Sequence, residues 1–186
     1  MSIEKAIEFA VEAHQGQKRK HKVNGVAIPY VTHPIEVMKK LYAWGAISEK
    51  IGTAAVLHDV LEDTDMPETT IFFNFGPDVT NLVKELTLIV PDGISGSEKQ
   101  SLKAEYMKGF SNKSLEALVI KMADRICNIN DFLLTDKDKA KAYKKEAAHL
   151  FIAFWERAKV IEDTFGTNVL GAIIGDINAI VEKIGD

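Results

Sequence analysis

Apolar residues recur every three to four positions along most of the chain, and this spacing is typical of amphipathic helices. The pattern is clear near the start, in Ile3, Ala6, Ile7, Ala10 and Val11. Spacing of the same kind predicts further helices over residues 32–44, 48–63, 67–75, 77–88, 98–109, 113–134, 137–165 and 168–184. An all-α protein is therefore expected.

Several residues mark where these helices should begin and end. Ser2, Thr32 and Ser48 carry the short hydroxyl side chains that cap helix N-termini. Gly45 is predicted to end one helix, and the pair Gly76-Pro77 is predicted to separate two others. The first helix should thus run over residues 2–14.

Residues 15–31 lack the helical period. They contain a basic run at 17–22 and the turn signal Asn24-Gly25, flanked by short apolar stretches. Such a turn between two short stretches favours a β-hairpin. The predicted fold is a helical bundle with one short β-hairpin near residues 21–29.

Composition narrows the class of protein. The chain has 186 residues, which fits one domain over 1–186. It has 23 basic and 27 acidic residues, a net charge of −4, which argues against a nucleic-acid partner. Cys127 is the only cysteine, so no intrachain disulfide can form, and without a signal-like N-terminus the chain is expected in the cytoplasm. No apolar run approaches the ~20 residues of a membrane span.

One predicted helix carries an unusual acidic cluster. At about 100° per residue, a continuous helix places four ionisable side chains on one arc. They are His58, Asp59, Glu62 and Asp63. A solvated acidic face is one interpretation. The alternative is a divalent metal, which would neutralise carboxylates that have no Lys or Arg among them.

Further metal ligands must come from elsewhere in the chain. His33 stands at the start of a predicted helix, and Asp124 lies in a helix that is apolar on nearly all sides. A buried carboxylate needs a cation as partner. Lys121, one turn earlier, offers the alternative of a local ion pair with Asp124.

Four sequence blocks in order resemble a known family. They are QKRK at 17–20, PYVTHP at 29–34, HDVLEDT at 58–64 and KMADRICN at 121–128. The series resembles the hydrolase domain of the RelA/SpoT family and the stand-alone small alarmone hydrolases, within the HD superfamily of metal-dependent phosphohydrolases. The resemblance covers residues 1–150.

The resemblance implies an all-α fold and a Mn²⁺ ion held by His33, His58, Asp59 and Asp124. It implies removal of the 3′-pyrophosphate from guanosine tetra- or pentaphosphate (ppGpp or pppGpp), giving GDP or GTP. The family's Glu-Asp pair matches Glu62 and Asp63. We expect Glu62 to carry most of the proton handling, and Asp63 to position groups or serve the leaving group.

The resemblance also implies contacts to the nucleotide. The matching residues are Arg19, Lys20, Asn128, Lys139 and Tyr143. A surface loop is the alternative for residues 18–22, and an exposed lysine-rich helix face is the alternative for Lys139. A family lysine is absent at Thr87–Asp92, and Asn130 replaces a family arginine. These departures remove positive charge and put the identity of the substrate in question.

Two other functions stay open at this point. The protein could hydrolyse another phosphorylated nucleotide such as NADPH, or bind a nucleotide without turnover. His14, His21 and His149 are interpreted as structural or surface residues, and Cys127 as a core residue. The apolar helix over 168–184 packs either on the domain or on a partner chain, which leaves a homo-oligomer open.

Overall fold

A computed structural model describes residues 2–23 and 25–185, with the backbone alone for residues 21 and 23. The chain divides into two compact units, Met1–Thr87 and Leu88–Asp186. Helices dominate both units, and the described residues contain one two-stranded antiparallel sheet. The predicted all-α fold with a single hairpin is confirmed.

The first unit is built around one buried helix. Its elements in chain order are α1 (Ile3–Ala13), β1 (Lys18–Val23), β2 (Val26–Pro29), α2 (Thr32–Trp44), α3 (Glu49–Leu57), α4 (Val60–Asp63) and α5 (Glu68–Leu86). Helix α3 packs against α1, α2 and α5, and all its side chains over residues 51–57 are buried. Trp44, at the end of α2, is also buried, with 4% of its surface exposed.

Most of the predicted helix ends are confirmed. The Ser2 hydroxyl accepts a hydrogen bond from the Lys5 amide (3.2 Å), and the Ser48 hydroxyl accepts one from the Ile51 amide (3.2 Å). Gly45 ends α2 in the left-handed region, at φ 80°. The predicted capping role of Thr32 is wrong. The backbone is already helical at residue 31, so the Thr32 hydroxyl lies within the first turn and donates to the Pro29 carbonyl instead (2.8 Å).

The hairpin is longer than predicted. Strand β1 takes in the basic run from Lys18 onward, and its partner residues include Lys22 with Ala27. An irregularity between Lys18 and Lys22 interrupts the pairing register. Asn24, the first residue of the predicted turn, lies outside the described residues.

The helix break at Gly76-Pro77 is confirmed. Gly76 has φ 79° and ψ 174°, a conformation that L-residues with side chains rarely adopt. Two helical segments therefore meet at an angle inside α5, on either side of this glycine.

The second unit surrounds a long buried helix. Its elements are α6 (Gly96–Lys108), a 3₁₀ turn (Gly109–Ser111), α7 (Leu115–Thr135), α8 (Lys137–Glu146), α9 (Ala148–Glu156), α10 (Ala158–Phe165) and α11 (Thr167–Ile184). Helix α7 is buried along most of its length and packs against α8, α9 and α11. Helix α11 also contacts α10 and α8, so the C-terminal helix packs within this unit.

The predicted single helix over 137–165 is wrong, because it is three helices. A turn at Ala147 separates the first two helices, and the backbone leaves helical geometry at Arg157, where φ is −106° and ψ is 6°. The Arg157 guanidinium donates to the carbonyls of Phe110 (3.1 Å) and Lys113 (2.6 Å). These long-range bonds fix Arg157 at the corner between two helices, a constraint that helical periodicity does not report.

Two further features of the described residues bear on the sequence predictions. Cys127 is buried and has no disulfide, as a core residue would be. None of the helices among those residues combines the length and the apolar character that a membrane span needs.

Candidate metal and catalytic site

The candidate site of the first unit lies at an interruption between two helices. Helix α3 ends at Leu57, and the single turn of α4 begins at Val60. His58 and Asp59 occupy the break, so the predicted continuous helix to residue 63 is wrong. His58 Nδ1 lies 2.8 Å from the Ala55 carbonyl oxygen, which satisfies an acceptor near the end of α3. A side-chain hydrogen bond of this kind supplies a donor to a carbonyl at a helix end, where no further turn provides a backbone amide.

This bond fixes the tautomer of His58. A carbonyl oxygen only accepts, so Nδ1 carries the proton and Nε2 presents its lone pair. The Nε2 atom lies 3.1 Å from Asp59 Oδ2. Histidine ligands of metals commonly donate their other ring N–H to a backbone carbonyl, and His58 has this arrangement.

His33 reaches the same carboxylate oxygen from helix α2. Its Nε2 atom lies 3.7 Å from Asp59 Oδ2, and its ring centroid lies 5.4 Å from that of His58. Both histidines are buried. Two imidazole nitrogens and a carboxylate oxygen thus converge, and this donor set suits a divalent transition metal. The described residues of the first unit therefore fit the metal that the sequence predicts.

Tyr30 is a member of the cluster that sequence reasoning missed. Its hydroxyl donates to Asp59 Oδ2 at 2.6 Å, and its ring centroid lies 5.9 Å from that of His33. Tyr30 stands within the PYVTHP block, three residues before His33. Its short spacing from His33 was the signal in the sequence that could have found it. Its bond to Asp59 spans 29 residues, and helical periodicity does not report such a contact.

Glu62 and Asp63 lie on α4, directly after the break. Both side chains are exposed, and both backbone amides donate to the Asp59 carbonyl, at 3.2 and 2.8 Å. Although Asp63 is exposed as a whole, protein atoms around its carboxyl partly shield it from water, which raises its pKa, and the charge of Asp59 raises the pKa further. Asp63 thus holds a proton more tightly than an ordinary aspartate.

The predicted basic pair lies on β1. Arg19 is buried, and its guanidinium donates to Glu36 Oε2 on α2 at 2.5 Å. Lys20 is exposed. Of this predicted pair, Arg19 is therefore held by an ion pair and Lys20 faces solvent.

In the second unit, Asp124 lies in a polar stripe of α7. Lys121 Nζ is 2.8 Å from its Oδ2 atom, and Asn128 Nδ2 donates to its Oδ1 atom at 2.5 Å. Lys121 and Asp124 are both buried. The local ion pair considered from the sequence is present, and Asn128 is part of the same group.

Tyr143 packs beside this stripe. Its ring centroid lies 4.7 Å from that of Phe132 and 4.9 Å from the Arg125 guanidinium carbon. Burial is the main cause that raises the pKa of the Tyr143 hydroxyl. Lys139 is exposed, with its amine 3.4 Å from Asp136. The structure thus groups Tyr143 with Arg125 and leaves Lys139 at the surface of α8.

Similarity to known proteins agrees with the family resemblance. A family model described as "HD domain" matches residues 6–170. The Xenopus tropicalis protein named guanosine-3′,5′-bis(diphosphate) 3′-pyrophosphohydrolase MESH1 is 35% identical over 130 residues, 69% of this chain and 68% of that protein. The Drosophila melanogaster MESH1 protein is 31% identical over 163 residues, 87% of this chain and 84% of that protein.

Longer relatives match over part of their length. A guanosine-3′,5′-bis(diphosphate) 3′-pyrophosphohydrolase of Aquifex aeolicus is 31% identical over 87% of this chain, which spans 23% of that relative. The match to the Mycoplasma pneumoniae protein spans 20% of its length.

A solved structure agrees with this similarity. It is described as a metazoan ortholog of SpoT that hydrolyses ppGpp. It matches with a TM-score of 0.75 and 26% identity, covering 98% of this chain and 95% of that one. The chain belongs to the HD domain family, in the group that contains the MESH1 proteins.

Proposed function

We propose that this protein is a metal-dependent pyrophosphohydrolase that removes the 3′-pyrophosphate of ppGpp and pppGpp. The observation that carries the proposal is the convergence of His33, His58 and Asp59 at a helix break that Glu62 and Asp63 follow directly. The names of the MESH1 relatives supply the substrate class.

The proposed metal is Mn²⁺, with Asp124 as its fourth ligand. Asp124 is assigned from the order of the family motifs, and its carboxylate oxygens already accept from Lys121 and Asn128. Each carboxylate oxygen has more than one lone pair, so these bonds leave capacity for a ligand bond. When bound, the metal lowers the pKa of a coordinated water and polarises a phosphoryl oxygen.

Glu62 and Asp63 have separate roles in the proposed reaction. A water oxygen forms a bond to the phosphorus that carries the ribose 3′-oxygen, and the bond from that phosphorus to the 3′-oxygen breaks. Glu62 accepts a proton from the water, and the departing 3′-oxygen takes up a proton. Asp63 serves the departing oxygen, and its raised pKa lies in the direction that favours supplying that second proton. The products are pyrophosphate and GDP or GTP.

We assign the nucleotide contacts to Arg19, Lys20, Asn128, Lys139 and Tyr143. The ion pair of Arg19 with Glu36 is compatible with this role, because a guanidinium bonded in its plane can still stack its face on a purine. Tyr143 stands beside Arg125, so an aromatic ring and a cation are available together.

The composition of the chain supports a proposal about its domain, its compartment and its class of partner. We propose that residues 1–186 act as one hydrolase domain in the cytoplasm, on a guanine nucleotide rather than on a nucleic acid. A net charge of −4 gives no general attraction for nucleic acids, and a single buried cysteine fits a reducing compartment.

A substrate panel tests the proposal. Purified protein with Mn²⁺ is incubated with ppGpp, pppGpp, NADPH and GTP, and released pyrophosphate and phosphate are measured separately. We expect pyrophosphate from ppGpp and pppGpp, and no release after chelation of the metal. The matched control is His58→Asn, because it removes a proposed ligand.

Two results would contradict the proposal. Phosphate released from NADPH while ppGpp stays intact would identify another HD phosphohydrolase. Binding of ppGpp without any product would identify a nucleotide sensor.

A further inference from the structure

Helix α4 is too short to hold itself in place. It has four residues, and the Asp59 carbonyl accepts from the Glu62 and Asp63 amides. A single helical turn fixes several residues in return for very few hydrogen bonds, so it is unfavourable on its own. Yet α4 carries Glu62 and Asp63, whose positions matter for the proposed reaction. Contacts from other segments must therefore fix it.

Both ends of α4 are tied to the segment that precedes α2. At the first end, the Tyr30 hydroxyl donates to the Asp59 carboxylate at 2.6 Å. At the second end, the Gln17 side-chain amide donates to the Asp63 carbonyl oxygen at 2.7 Å. These bonds bridge 29 and 46 residues of sequence.

His14 contacts both of the residues that hold α4. Its Nδ1 atom lies 2.9 Å from Gln17 Oε1, and its ring centroid lies 4.9 Å from that of Tyr30. The His14 side chain is buried, with 3% of the residue exposed. A histidine that the sequence indicates to be structural thus lies at the centre of a connected group.

The bond between Gln17 and Asp63 determines the proton position on His14. Because the Gln17 amide nitrogen donates to the Asp63 carbonyl, the Gln17 oxygen is the atom that faces His14. An amide oxygen only accepts, so His14 Nδ1 carries the proton and donates. His14 therefore orients the Gln17 amide in the one direction that allows it to hold Asp63.

We propose that His14 is a positioning residue that holds both ends of α4, one through Gln17 and the other through Tyr30. It thereby sets Glu62 and Asp63 relative to Asp59. The holding of α4 is independent of the substrate, and only its catalytic consequence rests on the proposed function.

The first test is hydrogen–deuterium exchange of the amides of residues 59–65, in protein freed of metal. His14→Ala should speed exchange there about tenfold, while the exposed neighbouring substitution Gln15→Ala should leave it unchanged. His14→Asn keeps an N–H donor near the position of Nδ1, so it should restore protection at residues 63–65. Exchange in His14→Ala equal to that of the natural protein would overturn the proposal.

Two variants test each end separately if His14→Ala fails to fold. Tyr30→Phe should speed exchange at residues 59–61, and Gln17→Leu at residues 62–65. Equal exchange in both variants and in the natural protein would overturn the proposal.

Metal affinity and kinetics give a second readout. Loss of a residue that supports metal ligands typically costs about 10–100-fold in affinity or activity. We expect His14→Ala to weaken Mn²⁺ binding in calorimetry about tenfold, and to lower kcat about 10–100-fold with KM within twofold. If the natural protein releases no pyrophosphate from ppGpp while exchange still responds to His14→Ala, the proposed function fails and the role of His14 stands.

Discussion

The two units arrange their buried polar groups in different ways. In the first unit, Tyr30 and His33 come from one segment and Asp59 from another, and they meet at a helix break. In the second unit, Lys121, Asp124 and Asn128 lie on successive turns of one uninterrupted helix. One arrangement is long-range, and the other is local.

This difference predicts which property a substitution changes, either the position of a side chain or the stability of the fold. A group at a helix break is oriented by other segments, so replacing a partner changes its position. A charge on a buried helix is compensated by its neighbour one turn away, so replacing the neighbour leaves an uncompensated charge. Substitutions in the first-unit cluster should therefore act mainly on turnover, whereas those in the α7 stripe should also lower the stability of the metal-free protein.

The largest effect is expected at Glu62. Glu62→Gln keeps the size of the side chain but removes the proposed proton acceptor, so kcat should fall about 10²–10⁴-fold. Single-turnover assays and metal analysis measure turnover and metal content separately. The metal content and the midpoint of thermal unfolding should stay unchanged, because the side chain is exposed. A kcat near that of the natural protein would remove Glu62 from the mechanism.

Asp124 should show the opposite behaviour in metal-free protein. Asp124→Ala leaves the Lys121 ammonium buried without its carboxylate, which should lower the free energy of unfolding by about 3–5 kcal/mol. Urea denaturation measures this change. The double variant Lys121→Met/Asp124→Leu removes both charges and should recover most of the loss. If Asp124→Ala is as stable as the natural protein, the contrast between the units is wrong.

A smaller effect is expected for the ion pair that holds Arg19. Glu36→Gln removes the charge that fixes the guanidinium, and KM for the nucleotide should rise about tenfold, or about 1.4 kcal/mol. The kcat value should change little, since the pair binds rather than reacts. Steady-state kinetics separate the two constants. An unchanged KM would indicate that Arg19 does not contact the substrate.

The smallest effect concerns the pH dependence of stability. The pKa of Asp63 is raised in the folded state, so its favourable contribution exists at low pH and is lost as the pH rises through the folded pKa. Asp63→Asn should therefore make metal-free protein slightly more stable at pH 7. The gain should shrink as the pH falls through the raised folded pKa, and it should be largely gone at about 4, the ordinary pKa of aspartate. Thermal unfolding across this range measures it, and a gain that grows towards low pH would contradict the raised pKa.

Local features were predictable from the sequence. The Ser2 and Ser48 caps, the break at Gly76 and the polar stripe of α7 all depend on residues within one or two turns. The family motifs added His33, which lies 25 residues before His58. Spacing and motif order together therefore identified the residues of the first-unit cluster apart from Tyr30.

Long-range hydrogen bonds account for much of what was not predictable. The corner at Arg157 depends on carbonyls more than 40 residues away. The position of the Asp59 carboxylate depends on a hydrogen bond from Tyr30. Helical periodicity continues through both places, so it predicted unbroken helices. The grouping of His14 with Gln17 and Tyr30 could not be inferred without knowing where α4 lies.

The sequence contains two tryptophans, and each unit holds one of them. Trp44 is shielded from water, whereas Trp155 has 52% of its surface exposed. Indole emission moves to longer wavelength when the ring enters water, so unfolding around Trp44 should give a red shift to which Trp155 contributes little. The natural chain thus contains an intrinsic fluorescent reporter for the half that carries His33 and His58, and no dye has to be attached.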